Sequence, residues 1–186
     1  MKVMGFADLV LVAPRWPDVL AREETLAFAS GTTDILARAR IAPTLEQALD
    51  GITWACATAM TPRDFGPPTH APREHFAALA PQGHRVALVF GSERFGMANE
   101  DVYRCHACLS IPTNPQFGSL NLASAVQLLA YEWRLAIGGF LAEQALDSAP
   151  AALDKEANTV ADAASVAGAL AHWQEALVAL DYLDPA

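Results

Sequence analysis

Short, wholly apolar runs alternate along this chain with stretches in which apolar and polar positions mix at helical spacing. DLVLVA (residues 8–13) has no polar position after its first residue and is closed by Pro14, the pattern of a strand buried on both faces. Asp18 stands where a helix cap belongs, Glu23 and Glu24 give the following helix a polar side to about Ser30, and Gly31 closes it. TLEQAL, from Thr44, has the capping-box form with Gln47, and it stops at Gly51. ITWACATA (52–59), RVALVFG (85–91) and ACLSIP (107–112) are further strands. Pro72 opens a helix to about Ala80, and ANEDVYRC (98–105) is helical. The loop MTPRDFGPPTHAPRE, with its four prolines, is expected to hold no regular structure.

Strands that alternate with helices predict an α/β fold, a mostly parallel sheet with helices on both faces. In such sheets ligands bind beyond the carboxyl ends of the strands. Three strand ends carry loops of unusual content: ATAMTPR, GSERFGM and PTNPQFGSLN. The third runs into a long apolar helix, FGSLNLASAVQLLAYEWR (117–134), with Ser119 in N-cap position and Asn121 close behind it. Unpaired N–H groups and the positive dipole end at such a helix start favour anionic or acceptor groups. Farther on, a polar stretch (146–158) reads as a linker, and 159–186 as a short helical extension with Trp173, Leu177 and Leu180 along one face.

Composition narrows the chemistry. A chain of 186 residues, 53% hydrophobic, supports one substantial core and a small appendage. The net charge of −9 argues against a nucleic-acid partner until its distribution is considered. Residues 1–134 hold 11 Lys and Arg against 13 Asp and Glu, net 11 − 13 = −2, whereas residues 135–186 hold 1 against 8, net 1 − 8 = −7. A basic patch on the body therefore stays possible. Cys56, Cys105 and Cys108 form no even framework, and the one C-x-x-C lacks the second pair a zinc site needs, so reduced thiols and no metal are expected. The apolar runs are too short to span a bilayer and no leader pattern opens the chain, which predicts a cytoplasmic protein. GSERFG is followed by no Gly-Lys-Ser/Thr, and no G-x-G-x-x-G joins a strand to a helix, so nucleotide-hydrolase and dinucleotide sites are unsupported.

The stretches VALVFGSERFGMANEDVYRCH and LSIPTNPQFGSLNLASAVQLLAYEWR resemble the second and third motifs of the SPOUT superfamily, in its SpoU branch. Members of that branch are RNA ribose 2′-O-methyltransferases that use S-adenosylmethionine. The similarity runs from Met1 to about Phe140 and is greatest to bacterial tRNA enzymes that methylate cytidine or uridine at anticodon-loop position 32. It implies a methyltransferase domain over 1–145 with a deep trefoil knot, and a homodimer to which the helix bearing Tyr131 and Trp133 contributes. By the same resemblance Thr58, Ala59, Met60, Gly91, Ile111, Ser119, Leu120 and Asn121 hold the cofactor, while Glu93, Ser119 and Asn121 serve the chemistry.

The family's first motif, N-x-x-x-x-A-R, supplies an arginine that activates the acceptor hydroxyl. In relatives MKVMGF follows directly after that arginine, so the motif is expected upstream of Met1, and the family's basic helical extension past Ala186. On the sequence as given, the cofactor half of the site is expected present and the ribose-activating half absent. Methylation of tRNA is the leading reading. Ribosomal RNA as substrate, and a non-catalytic module that binds S-adenosylmethionine or RNA, stay open beside it.

Overall fold

The computed structural model describes every residue except 30, 60–63, 141–160, 181 and 184–186. Six strands are seen: β1 (Val10–Val12), β2 (Arg40–Ala42), β3 (Trp54–Thr58), β4 (Thr69–His70), β5 (Val86–Val89) and β6 (Ala107–Leu109). The helices are α1 (Glu23–Phe28), α2 (Thr33–Arg38), α3 (Leu45–Ala48), α4 (Pro72–Leu79), α5 (Asn99–Tyr103), α6 (Leu122–Ala136) and α7 (Ala163–Ala179). All pairings are parallel, in two sheets: β1 with β2, and a four-stranded sheet in the order β4-β6-β3-β5.

Side chains on a strand alternate between faces, and β3 shows how this organises the core. Ala55 and Ala57 point to one side, where Leu45 and Leu49 from the α3 region, Val102 of α5 and Met97 close a cluster with Cys105 and Cys108. Cys56 points to the other side, where Phe76 and Leu79 of α4 and Leu129 of α6 pack over Ala107 and Leu109. Helices thus cover both faces of the larger sheet, as the alternating pattern predicts. Small residues at Ala55, Cys56 and Ala57 are fully buried. They let the helices of both layers approach the central strand closely.

Local chemistry explains most boundaries. Thr44 accepts a hydrogen bond from the Gln47 N–H at 3.3 Å, and Gly51 turns the chain with φ 74°, as the TLEQAL pattern predicts. Asp18, by contrast, caps only a single 3-10 turn (Val19–Ala21) and makes no side-chain cap bond, and α1 begins afresh at Glu23. The proline-rich loop is not wholly irregular. Its Thr69–His70 pairs with the edge of β6, and the Pro68 carbonyl accepts from Cys108 N–H at 2.9 Å. Two residues suffice there, because a sheet edge supplies half of the hydrogen bonds and tolerates proline beside it.

At the other edge β5 pairs, among the described residues, with β3 alone, and all four of its residues are half-buried. The amino-terminal residues are pinned to α6 by a buried guanidinium. Arg134 donates from Nε to the Met4 carbonyl at 2.8 Å and lies 4.8 Å and 4.6 Å from the ring centres of Phe6 and Phe140. α7 rests its first turn on the body, with Ala163 N–H donating to the Ile52 carbonyl at 2.6 Å. On the face of α7 that carries the apolar stripe, Trp173 and Leu180 are 70% and 67% exposed. The expected linker (146–158) lies outside the described residues.

Beneath the sheet a ring of imidazoles surrounds Trp54. Its ring centre lies 5.0 Å from His106, 5.1 Å from His84 and 6.0 Å from His75, and His70 stacks on His75 at 4.8 Å. Trp54 Nε1–H donates to His75 Nε2, and Ala55 N–H donates to His106 Nδ1, so each ring uses an unprotonated nitrogen. Burial first, and then the imidazole of His70 beside His75 and of His84 beside His106, holds both groups below the ordinary imidazole range. The unfolded chain takes up these protons near pH 6.5 and the folded chain only at lower pH, so acidification favours unfolding. The urea midpoint is therefore expected to fall between about pH 7 and pH 5. A midpoint that stays level or rises over that interval contradicts the assignment.

Candidate active site at the ends of three strands

The carboxyl ends of β3, β5 and β6 open onto one cavity of about 190 Å³. The first loop contributes Thr58 and Ala59, the second Gly91, Ser92, Glu93 and Gly96, and the third Ile111, Thr113, Gly118, Ser119 and Leu120. Of the residues expected around a cofactor, Thr58, Ala59, Gly91, Ile111, Ser119 and Leu120 meet here, with Glu93 among them. Met60 lies outside the described residues.

Each loop is shaped by its own bonds. Thr58 Oγ1 donates to the Val89 carbonyl at 3.0 Å and ties the ends of β3 and β5 together. In GSERFG, Ser92 and Gly96 exchange both backbone hydrogen bonds, at 3.0 and 2.8 Å, so the loop is a tight hairpin with Gly96 at φ 68°. Gly91 has a different task. A Cβ there would fall within 3.0 Å of the backbone of Gly96 and Met97. The sequence suggests that this glycine admits a ligand; in the structure it first admits the returning strand of its own hairpin. Thr113 Oγ1 donates to the Gly118 carbonyl at 3.1 Å and closes the third loop.

The start of α6 differs from the expectation in one respect. Its N-cap is Asn121, not Ser119: the Asn121 Oδ1 accepts from Ser124 N–H at 2.8 Å. Ser119 stands before the helix as part of the cavity wall, while Asn121 does not line that cavity and borders a neighbouring hollow with Leu120 and Gln127. Both residue types cap well. The choice is made by where the Thr113–Gly118 closure lets the helix begin. Asn121→Ala is expected to lower stability by about 1 kcal/mol, and Asn121→Ser to restore most of it. Equal melting temperatures for the wild type and Asn121→Ala would refute the cap.

Glu93 reaches across from the second loop, its Oε1 accepting from Leu122 N–H at 3.5 Å. A carboxylate there meets the unpaired donors and positive end of α6. The rest of the wall is largely apolar, with Phe90, Leu109, Leu122 and Ala125 completing it. These positions, and Thr113, lie within the motif stretches, but nothing in the sequence singles them out there as wall residues. Trp133 turns inward instead of outward, its ring 5.2 Å from Phe76 in an edge-to-face contact.

The remaining candidates for chemistry are inert or absent. Burial pushes the Cys56 and Cys105 thiols up to about 12, and Cys108 is buried as well. Among the described residues no cluster of three His, Cys, Asp or Glu could hold a metal ion. None of the described helices is long and apolar enough to cross a membrane. Arg73, exposed on α4, is engaged by Glu132 of α6 through two bonds of 3.0 and 2.7 Å.

A parallel sheet flanked by helices, with a cavity made by the loops after β3, β5 and β6, defines an α/β fold of the open-sheet class, in which ligands bind at such strand ends. Residues 1–131 match the model of the SpoU rRNA Methylase family. Similar proteins include a tRNA (cytidine/uridine/adenosine-2′-O-)-methyltransferase TrmJ of Pseudomonas aeruginosa, 39% identical, the match covering all of this chain and 72% of that protein. The tRNA (cytidine/uridine-2′-O-)-methyltransferase TrmJ of Photorhabdus laumondii is 41% identical over 77% of this chain and 58% of its own length. Among solved structures, TrmJ from Z. mobilis superposes with a TM-score of 0.78 and 31% identity, covering 100% of this chain and 74% of that one. A probable methyltransferase from Bordetella pertussis gives 0.66 and 45%, covering 73% and 83%. The chain belongs to the SpoU methylase family.

Proposed function

We propose that this chain acts as an S-adenosylmethionine-dependent methyltransferase on a tRNA ribose 2′-hydroxyl. The observation that carries the reading is the meeting of Thr58, Ala59, Gly91, Glu93, Ile111, Ser119 and Leu120 around one cavity. The lining suits such a donor: apolar walls from Phe90, Leu109, Ile111 and Leu120 fit a planar base, and a carboxylate faces a space where a positive sulfonium would be welcome. When bound, S-adenosylmethionine supplies an electrophilic methyl group. The protein's own part is orientation and exclusion of water. Glu93, held against the start of α6, fixes the second loop beside the third. Ser119 and Leu120 present their wall from a loop whose closure is set by Thr113.

Deprotonation of a ribose hydroxyl calls for a base or a stabilising cation. Neither lysine nor arginine lines the cavity among the described residues, which favours one second reading, a donor-binding module without catalysis. Calorimetric titration with S-adenosylhomocysteine tests the cavity; no binding at millimolar ligand would sink the assignment. Transfer of labelled methyl to tRNA separates enzyme from module, and methylation of ribosomal RNA alone would redirect the substrate.

A knotted chain path, a cytoplasmic location and a homodimer belong to the same reading. The dimer is supported by Leu128, Tyr131 and Leu135, which form one exposed face of α6 at 41, 44 and 49% exposure. A strict monomer in gel filtration at micromolar concentration would count against it.

A further inference from the structure

Each of the three loops after β3, β5 and β6 turns one phenylalanine to solvent: Phe65 is 103% exposed, Phe95 80% and Phe117 82%. Phe95 lies between the wall residues Glu93 and Gly96, and Phe117 stands immediately before the wall residue Gly118, so both belong to the loops that build the cavity without lining it. Their backbones are fixed while their rings are not packed. Phe95 N–H donates to Ser92 Oγ at 3.1 Å, and Phe117 N–H to the Asn114 carbonyl at 3.0 Å.

Phe65 is held at φ 60°, a left-handed conformation rare for a bulky residue. The neighbouring Asp64 carbonyl is anchored by the Tyr103 hydroxyl at 3.0 Å. The Arg94 guanidinium lies 5.1 Å from the centre of the Phe95 ring, pairing a cation with a flat apolar surface.

The geometry points to Phe95 and Phe117, with Phe65 on the neighbouring loop, as stacking platforms for unpaired RNA bases on either side of the acceptor ribose. This rests on the methyltransferase reading and adds how the substrate is gripped. Proteins hold single-stranded RNA by stacking bases on exposed aromatic rings and guanidinium planes, with little demand on sequence. Charge alone offers this chain little hold on a polyanion, since residues 1–134 carry a net −2 and the remainder −7. A base seated on Phe95 would also place its phosphate within reach of the Arg94 charge.

The test uses the full chain saturated with S-adenosylhomocysteine and a fluorescein-labelled single-stranded oligouridylate, with unlabelled tRNA as competitor. Phe95→Ala and Phe117→Ala are each expected to weaken RNA binding at least about fivefold. Phe95→Trp is expected to retain affinity and to show quenched indole emission as RNA is added. S-adenosylhomocysteine affinity is expected to stay at the wild-type value in all three. Unchanged RNA affinity in the alanine variants overturns the proposal, as does a wild-type chain that takes the donor product but no RNA. If the double alanine variant turns a dimer into a monomer at unchanged RNA affinity, the rings cover a second copy of the chain and the proposal also fails. A wild-type chain that binds RNA but not S-adenosylhomocysteine contradicts the reading of the cavity, which distinguishes the two failures.

Discussion

Gly91→Ala is expected to bind S-adenosylhomocysteine roughly 5–150-fold more weakly than the wild type, the equivalent of about 1–3 kcal/mol of overpacking taken from the binding-competent loop. The added methyl would fall on the backbone of Gly96 and Met97, which cannot rotate away as a side chain can. The hairpin must open, and Ser92 and Gly96 then lose their paired hydrogen bonds. Glu93, which sits inside that hairpin, loses its reach to Leu122 N–H. Gly168→Ala in α7 is the control, because a Cβ there meets nothing within 4 Å and alanine favours a helix by about 1 kcal/mol. Wild-type affinity in Gly91→Ala would mean that the loop is not closed as described.

Phe76→Ala is expected to cost about 3–5 kcal/mol of folding stability. For a chain of this size that corresponds to a melting temperature lower by roughly 6–20 °C. Phe76 is fully buried and joins α4, α6 and the sheet through Leu79, Leu129, Leu109 and the edge of Trp133. A cavity at that point separates the two helices that cover one face of the sheet. Since α6 begins at the candidate site, the variant is also expected to lose donor binding before it unfolds. A melting temperature within a degree or two of the wild type would show that α4 and α6 are held together elsewhere.

The larger sheet and its loops were legible in the sequence because their signals are local. β5 and β6 are uninterrupted apolar runs, β3 is apolar up to its last residue, Thr58, and each leads into a loop whose glycine, serine or proline content cannot belong to a strand. What escaped depends on partners distant in sequence. β2 is three residues long with two of them exposed, and it exists because β1 offers Val10, Leu11 and Val12 in register. β4 is two residues in a proline-rich stretch, defined by the edge of β6.

The site shows the same division. The residues that line the cavity follow from motif and strand end, whereas the choice between Ser119 and Asn121 as cap depends on the closure made by Thr113 and Gly118. The inward turn of Trp133 depends on Phe76, 57 positions earlier by numbering, 133 − 76. The face of α7 that carries Trp173 has the periodicity of a buried surface, yet among the described residues nothing covers it, because periodicity marks an apolar stripe and does not name its partner.

The edge position of β5 bears on how this protein must be handled. Val86, Ala87, Leu88 and Val89 form an apolar strand paired, among the described residues, on one side. No charged or proline residue within it discourages another strand from joining, so it is a ready template for intermolecular pairing. Aggregation of concentrated stocks is expected to begin along this border, and a lysine placed at Ala87 is expected to delay it, as light scattering over time would show.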